Sequence, residues 1–259
     1  MAKIMKRILI ALAILLALLL IGGGLAWKLR PAPGPTRLEL PHGASGVLMT
    51  YVYAWVVPTA SGVVLIDAGG DAKAPELLAE LKRRGKGPMD VKAILLTHGH
   101  FDHWPGTAAF PKATVYVHPA ELATMRGVKK SPHLLLRVMG AFRKAQPLPR
   151  AIAALHGDEN LKIDGESFQA VSIPGHTEGS LMYLWRGILF TGDSVQAGKD
   201  GGLALPPAMF SEELSRLDAE LRKTLPKWTF EQLATSHTGL ILDGAAALRK
   251  YLAKDPAAK

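Results

Sequence analysis

Cysteine is absent from all 259 residues. That excludes disulfides, thiolate metal ligands, iron–sulfur clusters and a lipidated N-terminal cysteine, so any transition metal must be held by nitrogen and oxygen. Acidic side chains are missing from two base-rich stretches, residues 1–36 and residues 126–150. The 31 Lys and Arg exceed the 22 Asp and Glu, for a net charge of +9. Without Lys3, Lys6, Arg7, Lys28 and Arg30 the remainder stands at +4, and residues 126–150 alone carry seven bases. The excess is thus local, and no nucleic-acid partner is expected. Internal repeats and low-complexity tracts are lacking too.

A long uncharged apolar run occurs once, from Ile8 to Trp27 (ILIALAILLALLLIGGGLAW), preceded by Lys3, Lys6 and Arg7. At about 1.5 Å rise per residue it spans about 30 Å, the thickness of a bilayer core. Gly24-Leu25-Ala26 supplies the small residues of a cleavable signal peptide, but the run exceeds the roughly 7–15 residues of a secretory apolar region. An uncleaved single-pass anchor in the cytoplasmic membrane is therefore expected at residues 1–27. Bases flank both ends, and the free amine tips the orientation toward an internal N-terminus, placing the remainder on the outer side. Residues 28–36 (KLRPAPGPT) read as an extended Pro-rich linker, and a single domain as residues 37–259.

Within that domain, apolar β-rich runs fall at 47–57, 62–66, 92–96, 114–117, 168–173, 181–185, 188–190 and 229–235. Helical patterns lie at 75–84, 119–126, 211–225 and 243–253, the third with Ser211 as a suitable N-cap and Leu214, Leu217, Leu221 and Leu225 on one face. Interleaved strands and helices predict an α/β fold, with sheets covered by helices on their outer faces.

The most informative stretch is Leu95–Gly106, LLTHGHFDHWPG. It places His98, His100 and His103, with Asp102, in a loop leaving the C-terminal end of a buried strand, where α/β proteins usually bind ligands. Three later stretches share its form, one polar residue ending an apolar run among small residues: His176 in PGHTEGS, Asp193 in FTGDS and His237 in SHTG. Asp67 in VVLIDAGG has the same shape. Singly each is as readily a hydrogen-bonded turn residue as a ligand; together they form a recurring constellation. His42, His118, His133 and His156 have no spacing partner and read as surface or core hydrogen-bonding residues.

These ordered motifs resemble those of the metallo-β-lactamase superfamily, over residues from about 40 to 253. The resemblance implies an αββα sandwich of two mixed β-sheets flanked by helices, here following an N-terminal transmembrane helix. It implies a dinuclear metal centre, with two Zn²⁺ as the expected cofactor and Fe or Mn as alternatives. His98, His100 and His176 would hold one ion; Asp102, His103 and His237 the other; Asp193 would bridge them; Asp67 would orient the ligand loop from behind. Asp102 is also the expected catalytic residue.

Two such ions make hydroxide available near neutral pH without a serine or cysteine nucleophile, and they polarise carbonyl or phosphoryl oxygens. The expected enzyme is a metal-dependent hydrolase of an ester, thioester, lactone or phosphodiester bond in a small-molecule or lipid-like substrate. Asp193 resembles the glyoxalase II and lactonase branches of the superfamily. The alternatives are a non-catalytic metal-binding module at the membrane surface and an iron-dependent sulfur dioxygenase-like oxidoreductase. His103 and His176 are separated by a helical insertion at about 121–160, where Leu134, Leu135, Leu136, Val138, Met139 and Phe142 lie among bases. It reads either as a solvated element packed on the sandwich or as an interfacial lid in which Arg137, Arg143 and Lys144 meet substrate at the membrane.

Overall fold

The computed structural model describes residues 34–130, 132, 133, 137 and 146–254. The apolar run Ile8–Trp27 lies outside them, as do Arg143 and Lys144 of the expected lid; Arg137 is exposed. Among the described residues no helix is long and apolar enough to cross a membrane.

Two sheets follow one another along the chain. The first has seven strands in sequence order: β1 (Arg37–Glu39), β2 (Ser45–Met49), β3 (Val52–Pro58), β4 (Val63–Ile66), β5 (Val91–Leu95), β6 (Thr114–Val117) and β7 (Ile152–Ala154). Pairing is antiparallel from β1 to β4 and parallel from β4 to β7. The second has six strands in the order β15-β14-β11-β10-β9-β8, comprising β8 (Asn160–Ile163), β9 (Glu166–Ser172), β10 (Leu181–Trp185), β11 (Ile188–Gly192), β14 (Gln232–Thr235) and β15 (Gly239–Ile241). Only β11 and β14 run parallel there. A small hairpin joins β12 (Gln196–Ala197) to β13 (Leu203–Ala204).

The period-2 alternation of side chains makes the layers. On β3, Val52, Ala54 and Val56 face one core, while Tyr53, Trp55 and Val57 face another. The second of these lies between the sheets, where Tyr53, Trp55, Ile66 and Leu95 meet Phe168, Tyr183, Trp185 and Phe190. The outer face of the first sheet buries Leu77 and Leu81 of α1 (Pro75–Arg83); a further short helix, α2, covers Leu122–Met125. Leu217 and Leu221 of α3 (Leu214–Thr224), with Ala247 and Tyr251 of α4 (Gly244–Leu252), pack on Met182, Leu189 and Leu233 of the second sheet. This is the αββα sandwich.

Local readings depart from the structure in several places. The helical insertion expected at about 121–160 includes β7, which pairs with β6 at the edge of the first sheet because Ile152–Ala154 runs extended beside Val115–Val117. The run 47–57 is two strands, because Thr50 takes a left-handed φ of +64° and turns the chain between Met49 and Val52. Its tight turn carries neither Gly nor Pro, which hid it. The helix expected from Ser211 begins only at Leu214, after Glu213, which makes no side-chain cap. Ser211 is used elsewhere, as shown below. The strand expected over 229–235 starts at Gln232.

Glu80 fastens α1 to the sheet. Its carboxylate is buried and accepts from Ser45 Oγ, Arg37, Arg83 and Arg84 at 2.7–2.9 Å. Burial pushes its pKa up, but the hydrogen bonds from Arg83, Arg37, Ser45 and Arg84 outweigh burial and hold it well below the usual carboxylate range.

Candidate metal centre

The strands deliver the polar residues of all the motifs to one end of the sandwich. Asp67 follows β4, His98 to His103 follow β5, His176 follows β9, Asp193 follows β11 and His237 lies between β14 and β15. Seven of these side chains stand in two groups, His98, His100, His176 and Asp193, and Asp102, His103 and His237. Within each group the ligating atoms lie within 4.8 Å of one another. Asp193 reaches the second group as well: its Oδ1 is 3.3 Å from His103 Nε2 and its Oδ2 3.1 Å from His237 Nε2. Its Oδ2 is also 3.5 Å from His176 Nε2. Gly192 permits this approach, because at φ +54° a Cβ would stand 2.6 Å from that of Thr97.

Behind the imidazoles lies a set of acceptors that fixes which nitrogen carries the proton. The buried Asp67 carboxylate can only accept, so Thr97 Oγ1 donates to Oδ2 at 2.8 Å, His103 Nδ1–H donates to the same oxygen at 2.8 Å, and Thr97 N–H donates to Oδ1 at 2.8 Å. The Thr97 hydroxyl has spent its hydrogen and therefore accepts from His98 Nδ1–H at 3.0 Å. The Tyr51 carbonyl accepts from His237 Nδ1–H at 3.0 Å, with the Tyr51 ring stacked on the imidazole. His176 Nδ1 lies 3.4 Å from Ser211 Oγ, and the Glu212 and Glu213 amides donate to the carbonyls of His176 and Gly175.

The consequence is that His98, His103 and His237 present bare Nε2 lone pairs inward. With the rings neutral, the lone pairs of His103 and His237 face the Asp193 oxygens acceptor against acceptor, at 3.3 and 3.1 Å. Burial opposes the charged form of both rings, but Asp193 and its neighbours outweigh it and favour the protonated form, which at His237 donates to Asp193 instead. His103 Nε2 and Asp193 Oδ1 are buried and make no hydrogen bond. A cation between such atoms resolves the opposition, so the residues present fit a metal pair. The electrostatics divide the two groups. Burial, with His103 and His100 nearby, pushes His98 well below its usual pKa. Burial likewise pushes His176 down to about 3, so the first group offers neutral nitrogens. Burial also opposes the charged form of His103, but Asp193, Asp102 and Asp67 outweigh it and hold its pKa well above the usual value. Positive charge is favoured at that position.

His42, His118, His133 and His156 fall outside both groups. The roles of Thr97, Ser211, the Tyr51 carbonyl and Glu121, which contacts both ligand loops, escaped sequence reasoning. Each is ordinary in its local sequence and acquires its task only through contacts across the fold.

The chain matches the sequence profile of the Metallo-beta-lactamase superfamily over residues 47–237. It is 29% identical over 167 residues to the hydroxyacylglutathione hydrolase of Vibrio campbellii, covering 64% of this chain and 56% of that one. It is 28% identical over 211 residues to that of Halorhodospira halophila, covering 78% and 72%. The chain thus spans just over half the length of the first of these relatives. The subclass B3 metallo-beta-lactamase MEM-A1, isolated from a soil metagenome library, superposes with a TM-score of 0.65 at 19% identity, covering 85% of this chain and 92% of that one, which is a likeness of fold. With the profile spanning both ligand groups and the sandwich shared, the chain belongs to the metallo-β-lactamase superfamily.

Proposed function

We propose that residues 37–259 form a dinuclear-zinc hydrolase of ester-like bonds. The observation that carries this reading is the convergence of seven candidate nitrogen and oxygen ligands, with Nδ1 of His98, His103 and His237 engaged on the outer side. A donor set without thiolate suits zinc, with iron and manganese as competitors. Such ions act as Lewis acids on a carbonyl or phosphoryl oxygen and lower the pKa of water toward about 7.

The chain supplies orientation and proton handling. Asp67 and Thr97 keep His98 and His103 in the ligating tautomer, and Tyr51 does so for His237. Asp102 Oδ2 lies 3.8 Å from both His103 Nε2 and His237 Nε2, and Asp102 also lines a cleft of about 250 Å³ beside the centre. We assign Asp102 Oδ2 the proton of the attacking water. Met49, Tyr51 and Phe101 line that cleft and receive the apolar part of a substrate.

The test is a panel of lactone, thioester, β-lactam and phosphodiester substrates, run with zinc, manganese or iron supplied. Hydroxyacylglutathione, the compound in the relatives' name, is its first member. Chelator-sensitive hydrolysis of at least one class is expected; a flat panel with all three metals overturns the reading. Placement at the membrane rests on the apolar run Ile8–Trp27 alone. Full-length protein is expected in the membrane fraction, and its complete recovery in the soluble fraction refutes that placement.

A further inference from the structure

Glu121 is fully buried, yet no Lys or Arg forms an ion pair with it among the described residues. A carboxylate so placed is costly unless donors and a nearby positive charge compensate it. Its donors are two backbone amides. Gly99 N–H donates to Oε2 at 2.7 Å and Gly179 N–H to Oε1 at 2.8 Å. Gly99 lies between His98 and His100, and Gly179 lies three positions after His176. One side chain therefore ties together the two loops that supply the three histidines of the first group, one from each sheet.

Both contacts are built around the absence of a side chain. A Cβ on Gly99 would stand 2.8 Å from Glu121 Oε2, and one on Gly179 would stand 2.8 Å from Oε1 and 2.7 Å from His118 Nδ1. The carboxylate fills the space that the two glycines leave. Through the Gly99 amide the carboxylate sits directly against the backbone that carries His98 and His100.

We propose that Glu121 is the positioning residue of the His98/His100/His176 group: it fixes the separation of the two loops and supplies charge balance for the ion held there. This rests on the metal-centre reading above. Substituting Glu121 should then weaken the first group and spare Asp102, His103 and His237, which it does not touch.

The experiment is competition of full-length Glu121→Gln with a zinc chelator, resolving the two affinities, alongside the absorption spectrum of the cobalt-substituted protein and melting of the metal-free form. Gln keeps the size, removes the charge and offers an acceptor to only one amide. The tighter or weaker step belonging to the first group, identified with His100→Ala, is expected to lose about 10–100-fold in affinity while the other changes less than about twofold. The cobalt spectrum should shift only in the component that His100→Ala removes. Glu121→Asp, charged but one methylene short of spanning both amides, should recover part of the affinity. Unchanged affinities, or an equal loss at both groups, overturn the proposal. Should Glu121→Gln fail to fold, Gly179→Ala decides, since it displaces the carboxylate from the other side: a selective loss supports the clamp and none refutes it. Wild-type protein that binds no metal at all refutes the metal-centre reading itself, whereas normal wild-type binding with indifferent variants refutes only Glu121.

Discussion

Asp67→Asn replaces one oxygen by nitrogen, and the hydrogen-bond directions around the centre predict that it damages both ligand groups. Asp67 Oδ2 takes hydrogens from His103 Nδ1 and Thr97 Oγ1, and its Oδ1 takes one from the Thr97 amide. An Asn that keeps its carbonyl toward the Thr97 amide turns its NH₂ toward both of the other partners. His103 must then accept at Nδ1, so its proton moves to Nε2, the nitrogen that faces Asp193. The Thr97 hydroxyl, now accepting, is free to donate to His98 Nδ1 and moves that proton to Nε2 as well. Restoring the ligating tautomers leaves a buried donor facing a donor, at about 1–3 kcal/mol. That corresponds to about 5- to 140-fold in affinity, at about 1.4 kcal/mol per tenfold, a range that spans the roughly 10–100-fold of other substitutions behind metal ligands. Thr97→Val breaks only the branch to His98, so it should weaken the first group alone. Chelator competition on both variants measures this, with melting of the metal-free proteins as a control for folding. Asp67→Asn retaining both affinities within about twofold, or Thr97→Val weakening both groups alike, would refute the tautomer argument.

Asp193→Ala should loosen both ions and abolish hydrolysis, because its two oxygens lie 3.1–3.5 Å from nitrogens of both groups, while His237→Ala should release chiefly one; metal counting after dialysis separates these outcomes. Glu80→Gln should cost on the order of 2 kcal/mol near pH 7, read by urea unfolding. Its folded pKa lies below the unfolded value of about 4.3, so the unfolded chain binds the proton first and the carboxylate's contribution is full above that value and lost as pH falls toward the folded pKa. The stability gap between wild type and variant should therefore shrink below about pH 4; a gap constant from pH 7 to pH 3 contradicts the assignment.

The residues of the two groups were legible because they stand at, or within a few positions after, the ends of apolar runs, so the strand signal located them. Trp55 and Tyr183 were equally legible as strand residues, lying in continuous apolar segments buried on both faces. The edge strands β1, β7 and β8 were not, since all their side chains except Ile163 are half-buried or exposed and leave no continuous run. Ser211 has the chemistry of a helix cap, and only the packing of the Gly175–His176 loop diverts it to the imidazole. Glu121 follows Pro119 at a helical start, where an acid usually complements the helix N-terminus. Nothing within its own turn reveals that both its oxygens are engaged by amides 22 and 58 positions away.

The two sheets are built from successive halves of the chain, with β1–β7 complete by Ala154 and β8 beginning at Asn160. His98, His100, Asp102 and His103 come from the first half; His176, Asp193 and His237 come from the second. Each ligand group draws on both halves. Severing the chain between Leu155 and Glu159 would leave two fragments, each with a whole sheet and only part of either ligand group. Bound ions would then act as rivets across the seam, and their binding energy would appear as affinity of one fragment for the other. In the intact chain the same arrangement makes ion uptake a check on the closure of the whole sandwich, because neither half completes a ligand group alone.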